Sequence, residues 1–195
     1  MFCNILLFGI IYCSIFCLND NSWKIFLIYS YFREKSLNCF KKSLFMKEEE
    51  KRELYEKSIS EMSEILTLTK DREERMHAIC TILKRNMPYY FWVGFYYPKK
   101  EYMQLGPSEG PPACAHISYS GVCGAASKRK TTLIVPDVHE FEGHVVCDPR
   151  SKSEMVVPVL IEGEIAAVLD VDSEEHDIFD EMDERYIEKI LLFLT

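Results

Sequence analysis

The sequence predicts an α+β fold in which an antiparallel sheet is packed with helices. Apolar residues recur at helical spacing before residue 88 and again after Met182. Between these stretches, aromatic and β-branched runs alternate with turns rich in glycine and proline. The last two such runs are joined by Glu162-Gly163, a pair suited to a tight hairpin.

Taken in order, Met46 to Lys70 is charge-rich with a thin apolar stripe at Leu54, Met62, Ile65 and Leu66, which predicts a surface helix. Asp71 followed by Glu74 resembles a capping box, and Met76, Ile79, Cys80, Leu83 and Met87 behind it predict a helix facing a core. The period then changes. Tyr89 to Tyr97 reads as an aromatic strand, turned by Pro98 to Glu101 into a second short strand, Tyr102 to Leu105. Three prolines and two glycines make Gly106 to Pro112 a loop, and a short strand follows Cys114. Gly121-Val-Cys-Gly124 opens a small helix, Thr132 to Val135 is a strand, and Pro136 to Lys152 is a second loop. Met155 to Ile161 and Glu164 to Val171 form the closing hairpin. A final helix carries Met182, Tyr186, Ile187, Ile190, Leu191 and Leu194 on one stripe.

The chain has 195 residues, 48% of them hydrophobic, enough for one domain with a real core and some excess. The excess is N-terminal. Residues 1–45 hold two apolar runs, Met1 to Leu18 and Trp23 to Phe32, with five basic and two acidic residues, a net +3 that leaves −11 of the total −8 for residues 46–195. The first run is at the lower length limit for a membrane span and lacks the basic start of a secretory signal. We read residues 1–45 as an extension and residues 46–195 as the working domain, with membrane association through residues 1–32 left open. An acidic chain repels a phosphate backbone, which argues against nucleic acid as a partner. Eight cysteines without a C-x-x-C pair fit neither a disulfide scaffold nor a zinc ribbon, and point to the reducing cytoplasm.

Cys114, Cys123 and Cys147 lie in or beside the two loops, where a thiol can be exposed and reactive, whereas Cys80 falls on an apolar helix stripe. Asp170 and Asp172 are two apart on a strand and therefore project to one face. Behind an apolar run, two such carboxylates repel, and an ammonium or a metal between them would relieve it; the plain alternative is a solvated strand end. His116, His139 and His144 near the cysteines match no structural zinc spacing.

Several ordered motifs then stand together: Trp92-Val-Gly-Phe-Tyr96, Leu105-Gly-Pro-Ser-Glu-Gly-Pro-Pro-Ala-Cys114, Gly121-Val-Cys-Gly124, Gly143-His-Val-Val-Cys-Asp148, Ser151-Lys-Ser-Glu-Met-Val-Val-Pro158 and Val168-Leu-Asp-Val-Asp-Ser173. With these, residues 46–195 resemble the free methionine-(R)-sulfoxide reductases, a family built on the GAF fold. The resemblance implies Cys147 as nucleophile, Cys114 as resolving thiol and Cys123 as a third redox cysteine. It implies Glu154, Asp170 and Asp172 as the cluster that holds the substrate ammonium and protonates the sulfoxide oxygen, with Trp92 walling the pocket and Tyr96 supporting it. It implies no metal and no bound cofactor, external thioredoxin as reductant, and free methionine-(R)-sulfoxide as substrate; a homodimer is left open. Cys114 and Cys123 are nine positions apart, one fewer than in the family's pattern, which bears on how Cys123 faces the pocket. Two other functions compete: a GAF sensor that binds a small molecule without chemistry, and a repair enzyme for oxidised methionine within proteins.

Overall fold

The computed structural model describes residues 48–195, so the reading of residues 1–45 lies outside the described residues. Helix α1 covers 48–65 and is followed by α2 (Arg72–Asn86). Strands β1 (Trp92–Pro98), β2 (Met103–Glu109) and β3 (His116–Ile117) form a meander. Helix α3 (Val122–Arg129) leads to β4 (Leu133–Val135), and the long hairpin β5 (Ser153–Ile161) and β6 (Glu164–Ser173) precedes α4 (Glu181–Leu191). The six strands are antiparallel neighbours in the order β3-β2-β1-β6-β5-β4. Among the described residues, no helix is long and apolar enough to cross a membrane.

The two faces of this sheet bury different things, because side chains alternate along each strand. Val93, Phe95, Met155, Val157, Leu169 and Val171 point to one side and pack with Met62, Met76, Ile79 and Ile187 of α1, α2 and α4. Trp92, Tyr96, Val156 and Val168 point to the other, against Val122, Cys123 and Ala126 of α3. The hairpin turn between β5 and β6 has φ of 53° at Glu162 and 81° at Gly163, the paired left-handed conformations that such a turn requires.

Three expectations need correction. Strand β2 runs to Glu109, through Gly106 and Pro107, the start of the segment read as loop. Beyond Leu105, whose N–H donates to the Ala115 carbonyl at 2.9 Å, no strand among the described residues pairs with its outer side, and the pairing with β1 shifts register between Gly94 and Tyr96, so Pro107 sits at a bulged edge where its missing N–H costs no ladder bond. Only half of the predicted capping box forms: Asp71 accepts from the Glu74 N–H at 2.9 Å, but the Glu74 carboxylate turns to the Thr69 hydroxyl. On α1 the buried positions are Tyr55, Ser58 and Met62, with Leu66 buried just past its end, while Ile65 stays 42% exposed.

The reason α1 buries a tyrosine is a polar hub on α4. Asp183 is fully buried and accepts from Tyr55 Oη at 2.8 Å, Tyr89 Oη at 2.6 Å and Lys51 Nζ at 2.7 Å. Its carboxylate also accepts from the Asp180 N–H at 2.8 Å, closing a complete capping box with Asp180. One carboxylate thus ties α1, α4 and the segment leading into β1. Replacing it leaves several buried donors unsatisfied, so Asp183→Ala is expected to cost about 3 kcal/mol in urea-melt stability. A loss under about 1 kcal/mol would show that the hub is replaceable by water.

Candidate active site

On the α3 side of the sheet, strand register assembles the acidic residues. Asp172 lies between Trp92 of β1 and Glu154 of β5, and Asp170 lies between Gly94 and Val156. All share one face because β6 and its neighbours are antiparallel and in register. Gly94 leaves the space that the Trp92 ring fills: a Cβ there would approach Ser108 Cβ to 2.6 Å and the indole closer still. Gly124 does the same for α3, since a Cβ would collide with the Tyr119 backbone. That close seat brings the first turn of α3, with Cys123, onto the carboxylates.

A cavity of about 590 Å³, counting its open mouth, sits over this face. Trp92, Tyr96, Cys123, His144, Cys147, Glu154, Asp170 and Asp172 line it, and among the described residues no lysine or arginine does. Cys114 and Cys147 are joined in a disulfide with Cα atoms 5.4 Å apart, within the ordinary span. Both come from irregular segments, as expected, and Tyr96 Oη donates to the Cys114 carbonyl at 2.9 Å, tying that segment to β1. Cys123 differs from expectation. It is buried in α3 at 3% exposure, unpaired, with its thiol 3.9 Å from Glu154 Oε1.

Electrostatics follow from burial. Glu154 and Asp170 are 5% and 7% exposed and Asp172 is half-buried, so the strand end is not simply solvated. Desolvation, then the charge of Asp170, pushes Glu154 and Asp172 well above the carboxylate range; desolvation brings Asp170 up to about 6. Burial likewise raises the Cys123 thiol and the Tyr96 hydroxyl. The cluster is a store of protons in need of a positive guest. Cys123, Glu154 and Asp170 each offer a ligand atom within 4.8 Å of the others, and Asp170 Oδ1 is buried without a hydrogen-bond partner among the described residues. The donor set suits an ammonium group or a cation. His116, by contrast, is exposed on β3 and does not line the cavity.

A raised native pKa means that folded Asp170 holds its proton more tightly than the unfolded chain does. Its contribution to stability is full below the ordinary value of 3.8 and is lost as pH rises through about 6. Asp170→Asn is therefore expected to gain stability relative to the unsubstituted chain between about pH 4 and about pH 7 in urea melts. A difference that is flat across that window would contradict the assignment.

The comparisons agree with this geometry. The GAF domain family model matches residues 71–194, from the cap of α2 to the end of the chain's last turn. GAF domain-containing protein A of Dictyostelium discoideum is 42% identical over 146 residues, covering 74% of this chain and 92% of that protein. The free methionine-R-sulfoxide reductase of Escherichia coli is 39% identical over 101 residues, 51% of this chain and 61% of that enzyme. Among solved structures, the free methionine-R-sulfoxide reductase of Neisseria meningitidis in complex with its substrate superimposes with a TM-score of 0.68 at 33% identity, covering 72% of this chain and 85% of that one. The matched span coincides with the sheet and helices that build the cavity, and on that agreement the chain belongs to the GAF-domain family.

Proposed function

We propose that this chain reduces free methionine-(R)-sulfoxide to methionine. The observation that carries the reading is a cysteine pair at disulfide distance, one member of which lines a cavity floored by three raised-pKa carboxyls. A binder has no use for that pair. The relatives named above as free methionine-R-sulfoxide reductases support the substrate class.

In the reduced enzyme, the Cys147 thiolate attacks the sulfoxide sulfur while the carboxylic acid of Glu154 protonates the oxygen. The hydroxyl then passes from the substrate sulfur to Cys147 Sγ as the bond just formed between the two sulfurs breaks, so methionine leaves and Cys147 is left as a sulfenic acid. The Cys114 thiol then displaces that hydroxyl as water, forming the disulfide, which an external dithiol of the thioredoxin class reduces. Burial supplies the acid, because a carboxyl ionised at neutral pH could not donate. Asp170 and Asp172 receive the substrate ammonium, with the partnerless Asp170 Oδ1 as the natural acceptor. The Trp92 indole walls the cavity against the substrate's methyl group, and Tyr96 steadies the segment that carries Cys114. Cys123 serves in this pairing as a donor to Glu154 and as a reserve thiol. The reaction as written uses no metal, and a thiol cycle of this kind suits a reducing compartment such as the cytoplasm.

The full chain with a thioredoxin recycling system is expected to consume L-methionine-(R)-sulfoxide and to leave the (S) epimer and a blocked, peptide-like sulfoxide largely untouched. Turnover of the blocked compound at a similar rate would move the reading to repair within proteins, and no turnover of any would move it to a ligand-binding module. Cys147→Ser is expected to abolish methionine formation even in a single turnover, whereas Cys114→Ser retains one turnover and loses recycling. Full activity in the first variant would remove Cys147 as the nucleophile.

A further inference from the structure

The reaction consumes a proton at the sulfoxide oxygen, and the group that donates it is buried. Once ionised, Glu154 is a carboxylate at 5% exposure beside two further carboxyls, with no lysine or arginine lining the cavity among the described residues. It must regain a proton before the next substrate can react, and a group buried to this degree exchanges poorly with bulk water. Something on the wall has to carry the proton in.

We propose that His144 is the proton relay that reloads Glu154 from solvent after each reduction, an inference that rests on the reductase reading of the same cavity. His144 Nδ1 stands 3.6 Å from Glu154 Oε2, and the imidazole is 12% exposed against 6% for the Glu154 side chain, so it lies on the solvent side of the acid. The separation exceeds a hydrogen bond, and a small side-chain movement or one bridging water closes it. The loop holds the ring in place. The His144 N–H donates to the Phe141 carbonyl at 3.1 Å, and the Ser120 hydroxyl donates to the Gly143 carbonyl at 3.1 Å. Gly143 itself has φ of 82°, and a Cβ there would lie 2.8 Å from the Ser120 carbonyl oxygen, so the close approach of loop and α3 entry depends on glycine.

The other titratable groups nearby are poor carriers. Asp148 lines the cavity, but Arg150 grips its carboxylate at 2.7 Å and 3.0 Å and holds it below the usual carboxylate range, without a proton to give. The Cys123 thiol reaches Glu154 but is buried and pushed upward, cut off from solvent. Asp172 shares the floor with Glu154 and, raised like it, needs the same supply, while Asp170, brought only to about 6, has no proton to pass on at neutral pH. His139 is exposed on the neighbouring turn, and burial together with its charge keeps His144 below 6.5, neutral at physiological pH. A neutral imidazole accepts at one ring nitrogen and donates at the other. When Glu154 loses its proton, the new negative charge 3.6 Å away favours the imidazolium, so the reduction step itself draws the next proton inward.

The test is a rapid-quench single turnover of the full chain, reduced beforehand and freed of reductant, with L-methionine-(R)-sulfoxide as substrate. Because one turnover starts with Glu154 loaded, a second mixing with excess dithiothreitol follows, so that later turnovers report reloading. In His144→Gln the first turnover is expected to keep its rate. Later turnovers are expected to slow by about tenfold or more, with the substrate concentration for half-saturation essentially unchanged. In His144→Ala the later turnovers are expected to recover on addition of 4-methylimidazole, more strongly as pH falls toward the pKa of that additive. Later turnovers at the unsubstituted rate and pH profile in His144→Gln would overturn the relay. So would a defect in the first turnover with raised half-saturation and no rescue, which would mark His144 as a shaper of the loop. A chain that makes no methionine even unsubstituted would overturn the reductase reading, and the relay with it.

Discussion

Three carboxyl groups brought to one face of a sheet, two of them buried and the third half-buried, are the constraint on which the rest of this molecule turns. Ionised together, Glu154, Asp170 and Asp172 would repel at short range in a medium that screens charge poorly. They persist because burial keeps protons on Glu154 and Asp172 and because the Cys123 thiol donates to Glu154. The same burial that makes the cluster costly makes it an acid at neutral pH. Stability and proposed chemistry therefore draw on one feature, in opposite directions.

The opposite face of the sheet supplies what the site face cannot. There the strands present Val93, Phe95, Met155, Val157, Leu169 and Val171 to three helices, a continuous apolar layer. The carboxylate buried there among the described residues, Asp183, is treated differently from those of the site: Lys51 pairs with it and two tyrosines donate to it. A charge with a full set of partners organises the helices, and charges without a cation among their partners remain open to a guest. This contrast separates scaffold from site more clearly than position in the chain does. Tyr89 and Tyr90, tied to that hub, lead directly into Phe91 and Trp92, so the scaffold's polar anchor also sets where the cavity wall begins.

The thiols divide along similar lines. Cys80, packed among apolar residues of α2 and pushed up to beyond the range of an ordinary thiol, behaves as a core residue. Cys114 and Cys147 sit on irregular segments that approach each other over the cavity, and Tyr96 fastens one of those segments to the central strand. Cys123 lies between the two classes, buried like the first and beside the carboxyls like the second.

Much of this was legible in the sequence. Helical spacing marks α2 and α4, alternation and the Glu162-Gly163 turn mark β5 and β6, and the two-residue spacing of Asp170 and Asp172 already requires a shared face. Local patterns of this kind are determined by the chain itself, because they depend on backbone geometry over a few residues. What tertiary structure decided is everything that depends on register across strands and on the fit of α3. That includes the strand character of Gly106 to Glu109 at a bulged edge, the burial of Cys123, the placement of Glu154 opposite Asp172, and the approach of His144 to Glu154. Such contacts join residues far apart in the chain, and their energies exist only once the sheet has excluded water, so no local pattern carries them.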